Sequence, residues 1–509
     1  MSGLVDAIRP EWIRGRGERV RIRAPMSPRR ALGSVLLACV VTTCASSLHA
    51  QEPFPLRPSD NGRFLVDASG RPFPILGRTA WFMALLSTAD VAVFLGDTKA
   101  RGFNTVELAL IGHDPRGRHA PFDDRGAAPF LKRLDGQTWS GGLEYGKASA
   151  ESPDFTTPNE AYWRGIDALL ADLEARGMLA LVFPAYVGYA GNTNQGWMGE
   201  MVANGPDRMR TYGEFIARRY AGRKNLVWML GGDFGEFDPA QSAAERGLVD
   251  GLLRGDPAGA AKLRSAEWSS ETIGTDQPEF GSLITLNGAY TFDGYTADHT
   301  RRAYAVTPVR PAFLLEEPYD EEAADGTNVN RRATQPVRRF QWWGWLGSIG
   351  GYVAGNGYVW PFAGDAWRTH LDTAGSRDLS RLNAFIRGLA WHTLVPSGLG
   401  GMRELITKNG STSRATDYIA AAAALDGSLL VAYVPPDGAG TFEVDVRAMR
   451  RTARARWFDP ADGSWKAVDD AVPNAAPHTF RLPGRNAAKE RDWVLVLDAP
   501  PPDPMATLR

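Results

Sequence analysis

A chain of 509 residues with 44% hydrophobic content and 16 Trp can bury a large core and is long enough for two folded units, which excludes large-scale disorder. Its formal net charge of −1 leaves no general electrostatic basis for nucleic acid or an acidic membrane surface as partner. The aromatic residues stand out instead: most belong in the core, but Trp and Tyr also suit the flat apolar faces of sugars.

Residues 1–50 read as a signal region. Arg29 and Arg30 precede a short apolar run, Ala31 to Val41, and small residues lead to Ala50, the pattern of a secretory signal with a cut after Ala50. The run is too short for a transmembrane span, so the mature chain is expected to lack one and to be exported, periplasmic or extracellular. Cleavage would remove both cysteines, Cys39 and Cys44, leaving neither a disulfide nor a thiolate metal site. Two alternatives stay open: a lipoprotein signal with Cys39 lipidated, and a true start at Met26.

From 51 to about 400, strand-like and helix-like stretches alternate. Phe64 to Phe73 predicts a small hairpin turning at Gly70. Pro74 to Trp81 is the first main strand, and Ser87 or Thr88 caps a helix that Gly102 ends. Phe103 to Leu110 is the second strand. A long Gly-, Pro-, Asp- and Arg-rich loop then runs from Ile111 to about Pro158, and loops of that length are usually functional. Tyr162, Ile166, Leu169, Leu170 and Leu173 form a helical stripe, followed by the strand Leu179 to Tyr186, a helix opened by Pro206, and the strand Leu226 to Asp233.

The second half predicts a helix over about Ala243 to Leu263 and strands at Ser282 to Asn287, Tyr290 to Tyr295, Ala312 to Glu317 and Gly351 to Trp360. Helices are expected over Pro336 to Ile349 and Leu379 to Thr393. Eight strands alternating with helices predict an α/β fold, a (β/α)8 TIM barrel over 51–400. Between 401 and 500, short strand-like runs separated by Asp-Gly turns predict a C-terminal antiparallel β-sandwich, and 501–509 a flexible Pro-rich tail.

Two strand ends carry the chemistry. Leu226 to Asp233 and Ala312 to Glu317 are apolar runs that stop abruptly in carboxylates, at the barrel face where active sites are built. Glycoside hydrolysis needs one carboxyl group to protonate the leaving oxygen and a second to attack the anomeric carbon or activate water. Strand order makes Asp233, ending the fourth strand, the acid/base and Glu317, ending the seventh, the nucleophile. Glu316 is a rival to Glu317, because alternation along a strand sends only one of them inward, and parity alone does not choose.

The motifs Leu76 to Trp81, Ala100 to Asn104, Trp228 to Asp233, Leu315 to Pro318 and Gly355 to Trp360, in this order, resemble the apiosidase-like glycoside hydrolases. The segment with Val431 to Pro436 and Trp457 to Gly463 resembles the collagen-binding-type β-domain that usually follows them. The resemblance implies a (β/α)8 barrel with the acid/base at Gly-Gly-Asp233 and the nucleophile at Glu317-Pro318, and so favours Glu317 over Glu316. Arg78 stands where relatives commonly carry Asp, and Ala354 where they commonly carry Tyr. The catalytic class is thereby better supported than apiose specificity.

Strand-end polar and aromatic residues complete the expected sugar-binding set: Arg78, Trp81, Glu107, Tyr186, Asn287, His299, Asn356 and Trp360. Trp197 is either a sugar platform or a loop anchor, whereas Trp342 and Trp343, on a predicted helix, are expected to pack. His113 with Asp114, and Asp123 with Asp124, lack any recognised metal-ligand spacing, so no metal and no organic cofactor are expected. The expectation is an exported two-carboxylate glycosidase of retaining type acting on a poly- or oligosaccharide. The alternative is a noncatalytic carbohydrate- or matrix-binding protein on a degenerate barrel.

Overall fold

The structure is a computed structural model that describes residues 53–141, 149–189, 195–256, 262–322 and 335–499. The expected signal region, residues 1–50 with Cys39, and the expected tail 501–509 lie outside the described residues. Three short strands open it: β1 (Arg57–Pro58), β2 (Leu65–Val66) and β3 (Pro72–Phe73). The expected hairpin pairs Leu65 with Phe73, and its turn is held by Asp67, which accepts from the Ser69 and Arg71 N–H groups at 2.9 Å.

The parallel strands follow as β4 (Ile75–Thr79), β5 (Thr105–Ala109), β6 (Leu179–Phe183), β7 (Leu226–Gly231) and β8 (Arg264–Glu267). Between them run α1 (Thr88–Ala100), α2 (Glu160–Ala175), α3 (Met198–Arg219) and α4 (Pro239–Gly255). After a two-residue strand β9 (Thr272–Ile273) come β10 (Asn287–Tyr290), α5 (Thr296–Ala305), β11 (Ala312–Glu316), α6 (Gln335–Ser348), β12 (Ile349–Ala354) and α7 (Ala374–Arg387). Ser87 caps α1 as expected, its hydroxyl accepting from the Asp90 N–H at 3.1 Å.

Strand neighbours run β8-β7-β6-β5-β4-β12-β11-β10, all parallel, with β9 antiparallel on β10. The ring nearly closes between β8 and β10, where the Leu286 N–H donates to the Arg264 carbonyl at 3.0 Å. This is the predicted eightfold (β/α) barrel, with two strands relocated. The fifth is Arg264–Glu267, not Ser282 to Asn287, and the sixth ends at Tyr290 instead of beginning there. Arg-Ser-Ala-Glu has no apolar run; pairing with Trp228 to Gly231 makes it a strand, and propensity does not.

Side chains alternate between the barrel interior and the helical layer. Gly77 shows how tight the interior is: a Cβ there would lie 2.8 Å from Val353 and 3.4 Å from Thr105. Outward positions such as Leu76, Ala289 and Leu314 join a cluster with α5, α6 and α7.

The C-terminal domain contains β13 (Leu394–Pro396), β14 (Ile406–Lys408), β15 (Ala420–Ala424), β16 (Leu429–Val434), β17 (Thr441–Val444), β18 (Ala453–Phe458), β19 (Trp465–Val472), β20 (His478–Arg481) and β21 (Trp493–Asp498). Sheets ordered β13-β15-β16-β21-β18-β19 and β14-β17-β20 form the expected antiparallel sandwich. Leu430, Ala432, Phe442, Val444, Trp457 and Leu495 fill its core, while the alternate residues Val431, Tyr433 and Val496 face the barrel cluster. Trp342 of α6 stacks on Tyr433 with ring centroids 5.6 Å apart, and Trp343 donates to the Tyr418 carbonyl at 3.0 Å. Buried Arg338 ties the two domains, donating to Asp492 at 2.7 and 2.8 Å and to Asp378 at 2.6 Å. Among the described residues no helix is long and apolar enough to cross a membrane.

Candidate active site

A cavity of about 330 Å³ opens at the C-terminal ends of the parallel strands. It is lined by Trp81 after β4, by His113, Asp114 and Arg116 of the long loop after β5, by Tyr186 after β6 and by Asp233 after β7. Tyr290 of β10, Glu316 of β11, Tyr319 just beyond it and Trp360 after β12 complete the main wall. The long Gly- and Pro-rich loop thus reaches the site, as its length implied.

Two glycines put Asp233 in place. A Cβ on Gly231 would lie 2.4 Å from the Glu267 carbonyl, and one on Gly232 2.3 Å from the Tyr186 ring. Both have positive φ, as does Asp233 itself at 60°, so the chain turns sharply and lays the Asp233 carboxylate on Tyr186. Tyr186 donates to Asp233 Oδ2 at 2.8 Å and Tyr290 donates to Oδ1. Burial raises the Asp233 pKa, while the Tyr290 and Tyr186 hydrogen bonds and the Arg116 charge oppose the rise.

At the seventh strand the structure separates Glu316 from Glu317 by a slip in register. Asn287, Gly288 and Ala289 pair with Ala312, Phe313 and Leu314, but Tyr290 pairs with Glu316. One extra residue on β11 breaks strict alternation, as a bulge does, and turns Glu316 toward the cavity beside Tyr290. Glu316 accepts from the Tyr319 hydroxyl, which in turn accepts from Trp81 Nε1 at 3.0 Å. Glu317 does not line the cavity. It is fully buried, and its carboxylate faces Gln341 of α6 and the Gly355 N–H, 3.4 Å away. The expected substrate-facing position of Glu317 is therefore corrected: Glu316 occupies it.

Beneath Glu316 lie two more carboxyl groups, Glu107 of β5 and Glu267 of β8, both with no exposed surface. Burial, followed by the charges of Glu317 and Asp233, holds Glu107 well above the usual carboxylate range. For Glu267 the causes are burial and then Glu316, Glu107 and Asp233. Glu316 is likewise raised, first by burial and then by Asp233 and Glu107, against the opposing bonds from Tyr319 and Glu267.

Of the other predicted site residues, Trp81, Tyr186 and Trp360 line the cavity. Arg116 lies over the Trp360 ring at 4.8 Å and is clasped by Asp114 at 2.6 and 3.0 Å. Arg78 points away from the cavity into the helical layer, where it pairs with Asp97 at 2.7 Å, because its position on β4 has outward parity. Glu107 faces inward but stays below the cavity. Trp197 is the loop anchor, donating to the Ile111 carbonyl at 3.2 Å with no exposed surface. Asn287 is turned to α5, donating to the Ala303 carbonyl at 3.1 Å. Asn356 closes a turn by accepting from the Tyr358 N–H at 2.9 Å. His299 sits between Glu271 at 3.0 Å and Asp293 at 3.2 Å, outside the cavity. Those three bring possible ligand atoms within 4.8 Å of one another, but Arg414 also pairs with Asp293, at 3.2 Å. His113 and Asp123 are engaged in pairs with Glu200 and Arg125.

Residues 59–393 match the family model described as "Apiosidase-like, catalytic domain". The chain belongs to the apiosidase-like family. It is a glycoside hydrolase by that membership, and residues 403–498 match a second model, "Putative collagen-binding domain of a collagenase". A solved structure named "Glycoside hydrolase" is 18% identical, with a TM-score of 0.69, covering 89% of this chain and 98% of its own. A glycoside hydrolase family 5 structure from Bacteroides vulgatus ATCC 8482 is 17% identical, with a TM-score of 0.67, covering 87% and 93%. Both share the fold of the apiosidase-like chain. No curated protein matches it.

Sequence reasoning missed several residues in and beneath this apiosidase-like cavity. Tyr290 reads from the sequence as the start of a strand, Tyr319 lies beyond the Glu-Pro motif, and Arg116 lies in an aperiodic loop. Glu267 ends a strand too polar to be recognised. Tyr290 and Glu267 are the last residues of β10 and β8 and Tyr319 follows β11 by three, so a polar or aromatic residue at the strand end is the signal that gathers these three; Arg116, seven residues past β5, has none.

Proposed function

We propose that this protein is an exported glycosidase that cleaves O-glycosidic bonds in a poly- or oligosaccharide by a retaining mechanism, with Glu316 as nucleophile and Asp233 as acid/base. One observation carries the reading: Asp233 and Glu316 line the same open cavity from opposite sides of the barrel, β7 and β11, among aromatic rings. Rigid strand ends hold both carboxyl groups, and Trp81, Tyr186 and Trp360 offer faces for a sugar ring. Retention corresponds to a carboxyl separation of roughly 5 to 5.5 Å, which leaves room for direct attack and none for an intervening water. Arg78 is no obstacle to substrate, since it is turned out of the barrel. Export rests on the N-terminal pattern of basic pair, apolar run and Ala50.

A glycan screen tests the reading, comparing wild type with Glu316→Gln and Glu317→Gln. Glu316→Gln abolishes hydrolysis and Glu317→Gln retains it; the reverse result returns the nucleophile to Glu317. Proton NMR of the first product reads the anomeric configuration, and an inverted product overturns retention. N-terminal sequencing of protein recovered outside the cytoplasm tests cleavage after Ala50.

One observation favours a second reading with the roles exchanged. Asp233 accepts from two phenols and lies near Arg116, so it is the better-supported anion of the pair. Alanine variants with added azide decide the roles. The nucleophile variant yields a glycosyl azide of inverted configuration, and the acid/base variant yields one of retained configuration.

A further inference from the structure

We propose that Glu267 is a positioning residue for Glu316: a buried carboxylic acid that keeps its proton and donates it as a hydrogen bond to Glu316, fixing that carboxylate at the cavity floor. This rests on the reading in which Glu316 reacts as a carboxylate.

Glu267 is the last residue of β8 and lies in register with Gly231, two residues before Asp233. It has no exposed surface and does not line the cavity, so it acts through a neighbour and not on substrate. Its carboxyl group is within hydrogen-bonding reach of Glu316. Among the described residues, neither oxygen of Glu267 nor Oε2 of Glu316 has a donor when all are treated as carboxylates, whereas Oε1 of Glu316 has the Tyr319 hydroxyl. Two buried carboxylates in contact with no donor between them are strongly disfavoured. One proton between them supplies the donor that Glu316 Oε2 lacks.

The surroundings decide which partner keeps that proton. Glu267 faces Glu107 from β5, Asp233 from the end of β7 and Glu316 from β11, with the phenols of Tyr186 and Tyr290 close by. Glu107 and Asp233 disfavour ionisation of both partners, so the hydrogen-bond donor on each decides between them; Arg116 stands at the rim beside Asp233. Glu316 has Tyr319 to support its charge. The proton therefore stays on Glu267, an arrangement in which a carboxylic acid held neutral by an apolar site serves as a hydrogen-bond donor.

The experiment compares Glu267→Gln, Glu267→Leu and Glu316→Gln. Infrared difference spectra at neutral pH read the proton without any substrate: wild type minus Glu267→Gln shows the loss of a carboxylic-acid C=O band. Absence of that band means Glu267 is ionised and overturns the proposal. In kinetics, the amide of Glu267→Gln replaces the donor and keeps kcat/KM within about tenfold of wild type. Glu267→Leu removes it, lowers kcat/KM about 100-fold, and moves the acidic limb of the pH profile up by about one unit. Loss of activity in Glu267→Leu with lowered Tm but an unmoved limb indicates structural support alone and also overturns it. Hydrolysis surviving in Glu316→Gln defeats the underlying reading instead, and the infrared band, which needs no catalysis, still shows whether Glu267 holds the proton.

Discussion

The phenol of Tyr186 donates to Asp233 Oδ2 at 2.8 Å across two neighbouring strand ends. Together with Tyr290 it favours the charged form of Asp233 and works against the burial that raises its pKa. Removing one such bond takes away about 1.5 kcal/mol or more of support for the anion, equal to about one pKa unit. In Tyr186→Phe the Asp233 pKa rises further, so an acid/base Asp233 stays protonated to higher pH. The basic limb of the kcat/KM profile moves up by about one pH unit. A limb that moves down, or stays, would mean that Asp233 does not supply the proton.

Arg78 has a structural job. Its guanidinium pairs with Asp97 at 2.7 Å and lies 5.4 Å from the Phe94 ring and 5.3 Å from that of Phe103. Arg78→Met strands part of the Asp97 charge, although Arg101 also holds it at 2.9 Å. The expected outcome is a loss of about 2 kcal/mol in denaturant unfolding, with kcat and KM within about twofold of wild type. A large change in KM without destabilisation would place Arg78 on the substrate.

Arg338 is a buried charge that joins barrel and sandwich, with Asp492 and Asp378 both buried against it. Arg338→Met leaves buried Asp492 without its cation, which costs about 3 to 5 kcal/mol, while Asp378 keeps Arg381 at 2.7 Å. Asp492 retains only the neutral donors Asn486 at 2.7 Å and Tyr433 at 3.1 Å, so the loss is concentrated at Asp492, on the sandwich side. Calorimetry at neutral pH reads the fall in Tm.

Glu245 of α4 gives a pH signature for stability. It is buried behind the Gly231 turn, accepting from the Gly231 N–H at 3.2 Å, and burial lifts its pKa from 4.5 to about 7. Below pH 4.5 both folded and unfolded chains hold the proton. As pH rises from 4.5 to about 7 the unfolded chain releases it first, so stability is lost across that window, by about 3 kcal/mol. Glu245→Gln retains the acceptor and removes the titration. The difference in unfolding free energy between variant and wild type therefore grows from pH 4.5 to 7 and is flat beyond; a flat difference throughout would show that Glu245 titrates normally.

Much of the fold follows from local pattern. The apolar runs at Ile75–Thr79, Leu179–Phe183, Leu226–Gly231 and Ala312–Glu316 are strands because each is buried on both faces, and the stripe on α2 is a helix because its apolar residues share one side. Abrupt carboxylates after two of those runs, with the family motifs around them, are enough to locate one wall of the site at Asp233 and the opposite wall at the Glu316-Glu317 pair. The same period could not find Arg264–Glu267, whose strand character comes from its neighbour on β7.

What the sequence by itself determined is the class of protein: an eight-stranded barrel with a sandwich behind it and acids at the fourth and seventh strand ends. These are short-range properties, set by period, burial and turn residues. What only the tertiary structure decided is which acid turns inward. A one-residue slip between β10 and β11 exchanges Glu317 for Glu316, outward parity removes Arg78, and the packing of β8 brings Glu267 beneath the site. Register is settled between strands far apart in the chain, so no window of one strand contains it.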